Sequence, residues 1–407
     1  MSCMAIKCSD LMNAIGDLCT GCSACYNTCG TGAIMMVKDS AGFLYPEIDE
    51  KRCVNCGACV AVCPLRASVD KSPVQIKKDP LCGCAYDDAV WRTSTSGGAF
   101  SCICNLWADR RPIIFGARFD GVEHVLHDWG AGAEASRCFR GSKYVQSEIG
   151  NAYRRCREFL QDGQYVIFSG APCQIAGLRS FLGGTFEKLL TIEFICHGVG
   201  SPLVFSDMLR RTGEKFKSQV IHYAFRSKLK WPQRNIYASE CFLADGRKMV
   251  AGDEYCAFFL NQLCVRKSCG SCRFKNENRY ADITLGDARG EDRIYPDKGD
   301  KNWSVIVANT LQGESVVARL NMLMRLEKYP IEMLRRHNPS YFQAKGGNAK
   351  REEFFRRFLR GDKTDSLLRL CAGTPFSRIM MSFKRYASLL LRKFQRLIVE
   401  KGGLYAC

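Results

Sequence analysis

Two cysteine runs constrain this chain more than any other feature. The first is Cys19, Cys22, Cys25 and Cys29; the second is Cys53, Cys56, Cys59 and Cys63, followed by Pro64. Both read C-x2-C-x2-C-x3-C. Spacers this short let three thiolates wrap one four-iron cluster, while the fourth cysteine of each run closes the cluster of the other. Cys19, Cys22, Cys25 and Cys63 are therefore assigned to one [4Fe-4S] cluster, and Cys53, Cys56, Cys59 and Cys29 to a second. Zinc sites use isolated pairs rather than two four-cysteine runs, and disulfides need an oxidising compartment to which nothing here points. Gly30 follows Cys29 where a proline usually stands, which changes the turn but removes no ligand.

Between the runs, Ala33 to Val37 and Phe43 to Ile48 are apolar stretches separated by the turn-rich Lys38 to Gly42, a β-hairpin pattern. The expectation is a small α+β ferredoxin-like domain over residues 1–80, with Cys3 and Cys8 as spare thiols outside any ligand spacing. The 407 residues leave room for one or two further domains. No signal-peptide pattern is present at the start, and no apolar run reaches the roughly 18 residues that span a bilayer. With 25 cysteines, that suits a reducing cytoplasm. The net charge of +18 is uneven: residues 1–80 carry 8 basic and 8 acidic side chains, whereas Lys350 to Lys401 carry 14 and 5. Such a field attracts nucleotide cofactors, acidic proteins, anionic lipid or nucleic acid, and charge alone does not choose among them.

Downstream the pattern turns α/β. Thr93 to Gly98 opens a helical stretch from Ala99 to Ala108, which serves either an anion or merely the helix cap. Pro112 to Phe119, Gln164 to Ser169 and Leu189 to Cys196 read as strands, and Ser169 to Gln174 as a tight turn into a helix ending at Leu182. Cys173 and Cys196 thus fall at strand C-terminal ends, where open α/β sheets place their sites. Cys269 and Cys272 follow, before a strand from Tyr280 to Gly286. Cys173, Cys196, Cys269 and Cys272 suffice for a third [4Fe-4S] cluster or for zinc, with Cys264 as a rival ligand. The basic, aromatic stretch from Phe225 to Tyr237 suits either base stacking or a loop over a cofactor. From Arg351 a basic helical tail begins. Its apolar positions from Phe383 to Ile398 fit a packed helix or one lying on a membrane surface.

Several motifs occur in a telling order: the dicluster runs, Ser94 to Gly98, Gly141-Ser142-Lys143-Tyr144-Val145-Gln146-Ser147, Ser169-Gly170-Ala171-Pro172-Cys173-Gln174, Cys196-His197-Gly198, Cys269-Gly270-Ser271-Cys272 and Ala281 to Asp287. Together they resemble the beta subunit family of coenzyme F420-reducing hydrogenase and dehydrogenase, in the version with a fused N-terminal ferredoxin domain. The resemblance spans roughly residues 15–355. It implies a flavin and iron–sulfur domain of α/β class over 81–350, holding FAD and a further [4Fe-4S] cluster, with residues 351–407 as the helical basic tail. It also implies Cys173, Cys196, Cys269 and Cys272 as that cluster's ligands. Ser94, Ser96, Gly97, Gly98, Lys143, Tyr144, Ser169 and Gly170 would cradle FAD, and His197 and Lys143 would tune it or supply a proton. One departure stands out: Ala288-Arg289-Gly290 replaces the aromatic pair that usually precedes this glycine.

The expected activity is an iron–sulfur flavoprotein oxidoreductase. Electrons would pass between a small hydride-carrying coenzyme or substrate (F420-like), FAD and the clusters, then to a redox protein partner or larger complex. Competing readings are a relay subunit without its own substrate and an iron–sulfur nucleic-acid-binding protein, though no nucleic acid is expected. The expected location is cytoplasmic, with peripheral contact on the inner membrane face as the alternative role of the tail.

Overall fold

The computed structural model describes residues 7–66, 79–228, 239–251 and 254–371. Two compact units result: residues 1–253 with 265–347, and residues 254–264 with 348–407. The expected amphipathic stretch from Phe383 to Ile398, Cys3, and most of the basic-aromatic stretch after Lys228 lie outside the described residues.

In the first unit, β1 (Ile34–Lys38) and β2 (Leu44–Ile48) pair antiparallel as the expected hairpin, Ile34 facing Ile48. A second sheet uses β3 (Leu81–Ala85), β4 (Ile113–Asp120), β5 (His124–Ala131), β6 (Val166–Gly170) and β7 (Leu189–Phe194). Between them and the rest lies a three-stranded antiparallel sheet of β8 (Val220–Ala224), β9 (Ser239–Leu243) and β10 (Lys248–Ala251). The large sheet is completed by β11 (Ile283–Ala288), β12 (Trp303–Ala308) and β13 (Met324–Lys328). Its order is β13-β3-β12-β11-β7-β6-β4-β5. The four strands β11, β7, β6 and β4 are parallel neighbours, and antiparallel strands flank them on both sides. The sheet is therefore mixed. β3, β12 and β13 extend it beyond the parallel strands that the sequence pattern marks.

The parallel strands are apolar on both faces because both are covered. Ile114, Ile167, Leu190 and Ile283 enter one core with Trp91, Trp107 and Trp303. Ile113, Phe115, Val166, Phe168 and Leu189 enter the other with Tyr153 and Ile175. Successive residues of one strand thus feed opposite cores, as the period of two requires. The second core also holds Cys25, Cys59, Cys63 and Ile34. The dicluster region and the sheet therefore share one apolar interior. A buried ion pair ties the layers: Arg179, on the helix Pro172–Leu182, donates to Asp282 at 2.9 Å. Asp282 also accepts from the Thr191 backbone and hydroxyl at 2.8 and 2.6 Å and from the Thr310 hydroxyl at 2.9 Å.

The second unit contains the helices Glu254–Leu260, Arg351–Leu359 and Thr364–Leu368. Phe354 is fully buried there, 4.9 Å from the ring of Phe258. Among the described residues no helix is long and apolar enough to cross a membrane.

Candidate functional site

The first cysteine set closes on a cavity of about 200 Å³ whose walls include Cys19, Cys22, Cys25 and Cys63, together with Pro64 and Tyr45. These are the four thiols that the crossed ferredoxin pattern assigns to one cluster. Burial pushes the Cys22 thiol up to about 12, and the neighbouring Cys19 and Cys63 add to the shift. Cys25 rises for the same reasons, under the influence of Cys22, Cys19 and Cys63. Desolvated thiols that crowd one another need a cation to hold them as thiolates, which is what iron supplies. The backbone already offers a donor, Gly21 N–H to Cys19 Sγ at 3.4 Å.

Behind this set stands Arg266, 1% exposed, which donates to the Cys19 carbonyl at 2.8 Å and lies 3.9 Å from the Tyr45 ring centroid. Gln146 accepts from both Leu44 N–H and Arg266 at 3.3 Å. Nothing in the spacing of Arg266 marks it beforehand, whereas Gln146 sits in a motif already singled out.

The second set lies nearer the surface: Cys56 is exposed and Cys53 and Cys29 are half-buried. Cys59 is pushed up to about 12 by burial, then by Cys8, then more weakly by Cys53. Cys8, expected as a spare thiol, stands beside Cys59. It is buried, and its backbone N–H donates to the Asn55 side chain at 2.6 Å. The turn after Cys29 is held to the start of the second run, since Arg52 donates to the Thr31 carbonyl at 2.9 Å.

The third set comes from two strand ends and a turn. β6 leads into the Cys173 helix, whose start is fixed by Pro172 in the first turn and by the Gln174 side chain, which accepts from Ala171 N–H at 2.9 Å. β7 leads into Cys196-His197-Gly198, Cys269 ends the short helix Lys267–Cys269, and Cys272 follows it. Burial, then Cys272, Cys196 and Cys269, raises the Cys173 thiol well above its usual range, so the four share one environment. Gly198 N–H donates to Cys196 Sγ at 3.4 Å. At Gly198, φ is +124°, and a Cβ there would stand 2.7 Å from Val265 Cγ1 and 3.3 Å from Cys269 Cβ. Only glycine lets the Cys196 and Cys269 segments approach so closely. Among the described residues no three His, Cys, Asp or Glu side chains converge as ligands of a single ion would. A four-iron cube distributes its thiolates over four metals and does not require that convergence. Cys264 belongs to the second unit and is fully buried.

The third and first sets adjoin. Gly177, one turn beyond Cys173, leaves room for Cys22: a Cβ there would stand 3.1 Å from both Cys22 Cβ and Sγ. Tyr153, fully buried, is influenced by both Cys22 and Cys173 and donates to the Gln174 carbonyl at 2.7 Å.

Most of the remaining sequence-marked residues gather at the same edge of the sheet. Ser94 donates to the Val90 carbonyl, Ser96 to the Trp303 carbonyl, and Gly97 N–H to Ser304 Oγ at 2.9 Å. Gly98 starts the helix Ala99–Asn105, which ends earlier than the expected Ala108. Thr95 accepts from Ser142 N–H at 2.8 Å, joining this turn to the loop that carries Lys143 and Tyr144. Lys143 donates to the Phe139 and Arg140 carbonyls at 3.2 and 2.8 Å, and burial pushes it down to about 7. It neighbours His127, whose ring lies 3.1 Å from the Ser169 carbonyl, and Gly170 follows at the end of β6. Asp287, beyond the middle of β11, receives both Arg226 nitrogens at 2.9 and 3.1 Å. Burial opposes the Arg226 charge, but Asp287 and Tyr144 together outweigh it and raise its pKa. Arg226 also reaches Tyr144 at 3.4 Å. Lys228 donates to the Trp91 and Ser96 carbonyls at 2.7 and 2.5 Å and is pushed down to about 7 by burial, then by Arg226. His197 is 3.1 Å from Ser340 Oγ, and burial, then Lys345, Arg289 and Lys275, pushes it down to about 3.

Comparison with known proteins gives two matches along the chain. Residues 18–67 match the 4Fe-4S dicluster domain, and residues 163–333 match the family described as the C terminus of the beta subunit of coenzyme F420 hydrogenase/dehydrogenase. Residues 163–333 thus carry the C-terminal part of the coenzyme F420 hydrogenase/dehydrogenase beta subunit family, behind a dicluster start. Its cysteine-rich start is also similar to separate ferredoxins and redox subunits. It is 45% identical over 49 residues to one subunit of an ion-translocating oxidoreductase complex from Methanosarcina acetivorans. That match covers 12% of this chain and 17% of the other, so only a small part of that relative is spanned. The start is 38% identical over 61 residues to an uncharacterized ferredoxin of Methanocaldococcus jannaschii, covering 15% of this chain and 78% of the ferredoxin. Among solved structures, one chain of the F420-reducing [NiFe] hydrogenase complex from Methanosarcina barkeri aligns with a TM-score of 0.45 at 13% identity, covering 72% of this chain and 95% of that chain.

Proposed function

We propose that this chain is an iron–sulfur flavoprotein oxidoreductase that moves electrons between a hydride-carrying coenzyme or substrate and a protein partner. The observation that carries the reading is the contact between the third cysteine set and the first, made through Gly177 and Cys22. Single-electron transfer needs closely spaced centres, and this contact joins the sheet-edge site to the dicluster region.

The residues fit the groups that the family implies. Cys173, Cys196, Cys269 and Cys272 form a mutually coupled thiol set, with the Gly198 N–H already directed at a sulfur. Cations outnumber carboxylates beside the Ser94 to Gly98 turn: Arg140, Lys143, Arg226 and Lys228 accompany Asp287. That excess suits the diphosphate of FAD. Bound there, FAD would supply hydride exchange with an organic partner and single-electron exchange with clusters. Ser96, Tyr144 and Asp287 hold Arg226 and Lys228 in place, and the two covered faces of the sheet exclude water. Lys143, at about 7, can hold or release a proton near neutrality, whereas His197, at about 3, stays uncharged there. On the other side, exposed Cys56 and Val54 offer the dicluster's outer end to a partner.

Anaerobic purification followed by iron, sulfide and flavin analysis tests the reading. The expected content is about twelve irons and one FAD per chain. About eight irons removes the third cluster; twelve irons without flavin leaves an electron-relay subunit. Reduction of the bound flavin by a hydride-donating deazaflavin or nicotinamide coenzyme separates an enzyme from a relay.

A further inference from the structure

Lys275 follows the last of the third-set cysteines by three residues, and its backbone N–H donates to the Cys272 carbonyl at 3.4 Å. The residue is 5% exposed, and among the described residues its Nζ has no hydrogen-bond partner and no carboxylate within ion-pair distance. A buried ammonium without an acceptor costs several kcal/mol, so such a group is retained where an anion meets it. Its surroundings identify the anion. Its charge bears on the thiols of Cys196, Cys269 and Cys272. Lys345 and Arg289 add positive charge to the same pocket, and its carboxylates are engaged elsewhere, Asp287 by Arg226 and Glu193 by Arg279.

Building on the third-cluster reading above, we propose that Lys275 is a positioning residue that sets the reduction potential of the third cluster. Its charge acts on the thiolates of Cys196, Cys269 and Cys272. Each one-electron reduction adds negative charge to an already anionic cluster, so a fixed cation in a water-poor site favours the reduced form. Electrons arriving from the sheet-edge site are thereby held at the third cluster before they pass toward Cys22. The buried cation behind the first set, Arg266, differs in that its guanidinium donates to the Cys19 carbonyl and Gln146, although its Nη2 is also without a partner among the described residues.

The test is an anaerobic redox titration followed by electron paramagnetic resonance, with iron counted on the same samples. The two dicluster centres serve as internal references. Lys275→Met is expected to shift the third cluster at least tenfold toward the oxidised form, which is about 59 mV for one electron. Lys275→Arg, which keeps the charge, is expected to remain within about threefold of the parent protein. Should Lys275→Met fail to fold, Lys275→Gln gives the same reading. An unmoved potential in a variant that retains about twelve irons overturns the role of Lys275 alone. A shift in Lys275→Arg as large as that in Lys275→Met also overturns it, because packing would then be the cause. About eight irons in the parent protein removes the third cluster and overturns both this proposal and the reading beneath it.

Discussion

Gly177 on the Cys173 helix lies against Cys22 of the first cysteine run, so closely that a methyl group there would crowd its neighbours. A Cβ at Gly177 would stand 3.1 Å from the Cys22 sulfur and 3.2 Å from the Tyr153 hydroxyl. Neither neighbour can yield freely: Cys22 shares a cavity wall with Cys19, Cys25 and Cys63, and Tyr153 is fully buried. Gly177→Ala is therefore expected to destabilise the protein by about 1–3 kcal/mol through overpacking. It should disturb the first cluster's spectrum more than that of the second. Denaturant melts and anaerobic spectra of the variant check this. A variant with parental stability and both spectra intact would show that the helix has room to shift.

Removing a ligand from the third set should act locally. Cys196→Ser and Cys272→Ser are each expected to lose the third cluster while the dicluster signals persist, because opening one iron to solvent exposes it to oxidation. Iron analysis should fall by about four per chain. Unchanged iron and spectra in both variants would make these cysteines part of the apolar interior, the ordinary role of a buried cysteine.

The ion pair between Arg179 and Asp282 gives a prediction about stability rather than chemistry. Both side chains are nearly inaccessible, and Asp282 also satisfies Thr191 and Thr310. Asp282→Ala leaves a buried guanidinium without its carboxylate and is expected to cost about 3–5 kcal/mol. Replacing both partners, as in Arg179→Met with Asp282→Leu, should cost less than the single change if the unpaired charge is the main penalty. Thermal or denaturant unfolding of the cysteine-intact protein measures both.

These features differ in how far the sequence reveals them. Ligand spacing in the dicluster runs is local, so the crossed set of Cys19, Cys22, Cys25 and Cys63 is legible, and the structure lines one cavity with it. The same holds for β6 and for the helix Pro172–Leu182, where an apolar run, a tight turn and Pro172 punctuate the chain. β12 is equally open to reading, since Trp303 to Ala308 is an apolar run, yet its antiparallel place between β11 and β3 is a matter of topology. Long-range pairings leave no local pattern. Arg266 beneath Cys19, Cys8 beside Cys59 and Lys275 beside the third set are each fixed by tertiary packing. A lone arginine, cysteine or lysine carries no periodicity that could announce such a role.

The lysines beside the candidate flavin site give a pH prediction. An ordinary lysine keeps its proton to roughly 10.4, but burial brings Lys143, and burial followed by Arg226 brings Lys228, down to about 7. Between these values the unfolded chain holds protons that the folded chain has released. The flavin-free protein should therefore gain stability as pH rises from about 7 toward 10, and show no such gain below 7 from these groups. Binding of an anionic diphosphate favours the charged forms and has the opposite dependence. FAD affinity is expected to be nearly constant below pH 7. Above it, affinity should weaken by up to about tenfold per pH unit for each lysine that must regain a proton. Lys143→Met should reduce that slope by about one decade per unit while lowering affinity at pH 6, leaving the Lys228 contribution in place. Fluorescence titration of flavin-free protein with FAD across about pH 6 to 9 measures the slopes. A parent profile that stays flat, or a Lys143→Met slope equal to the parent's, would place Lys143 away from the bound phosphates.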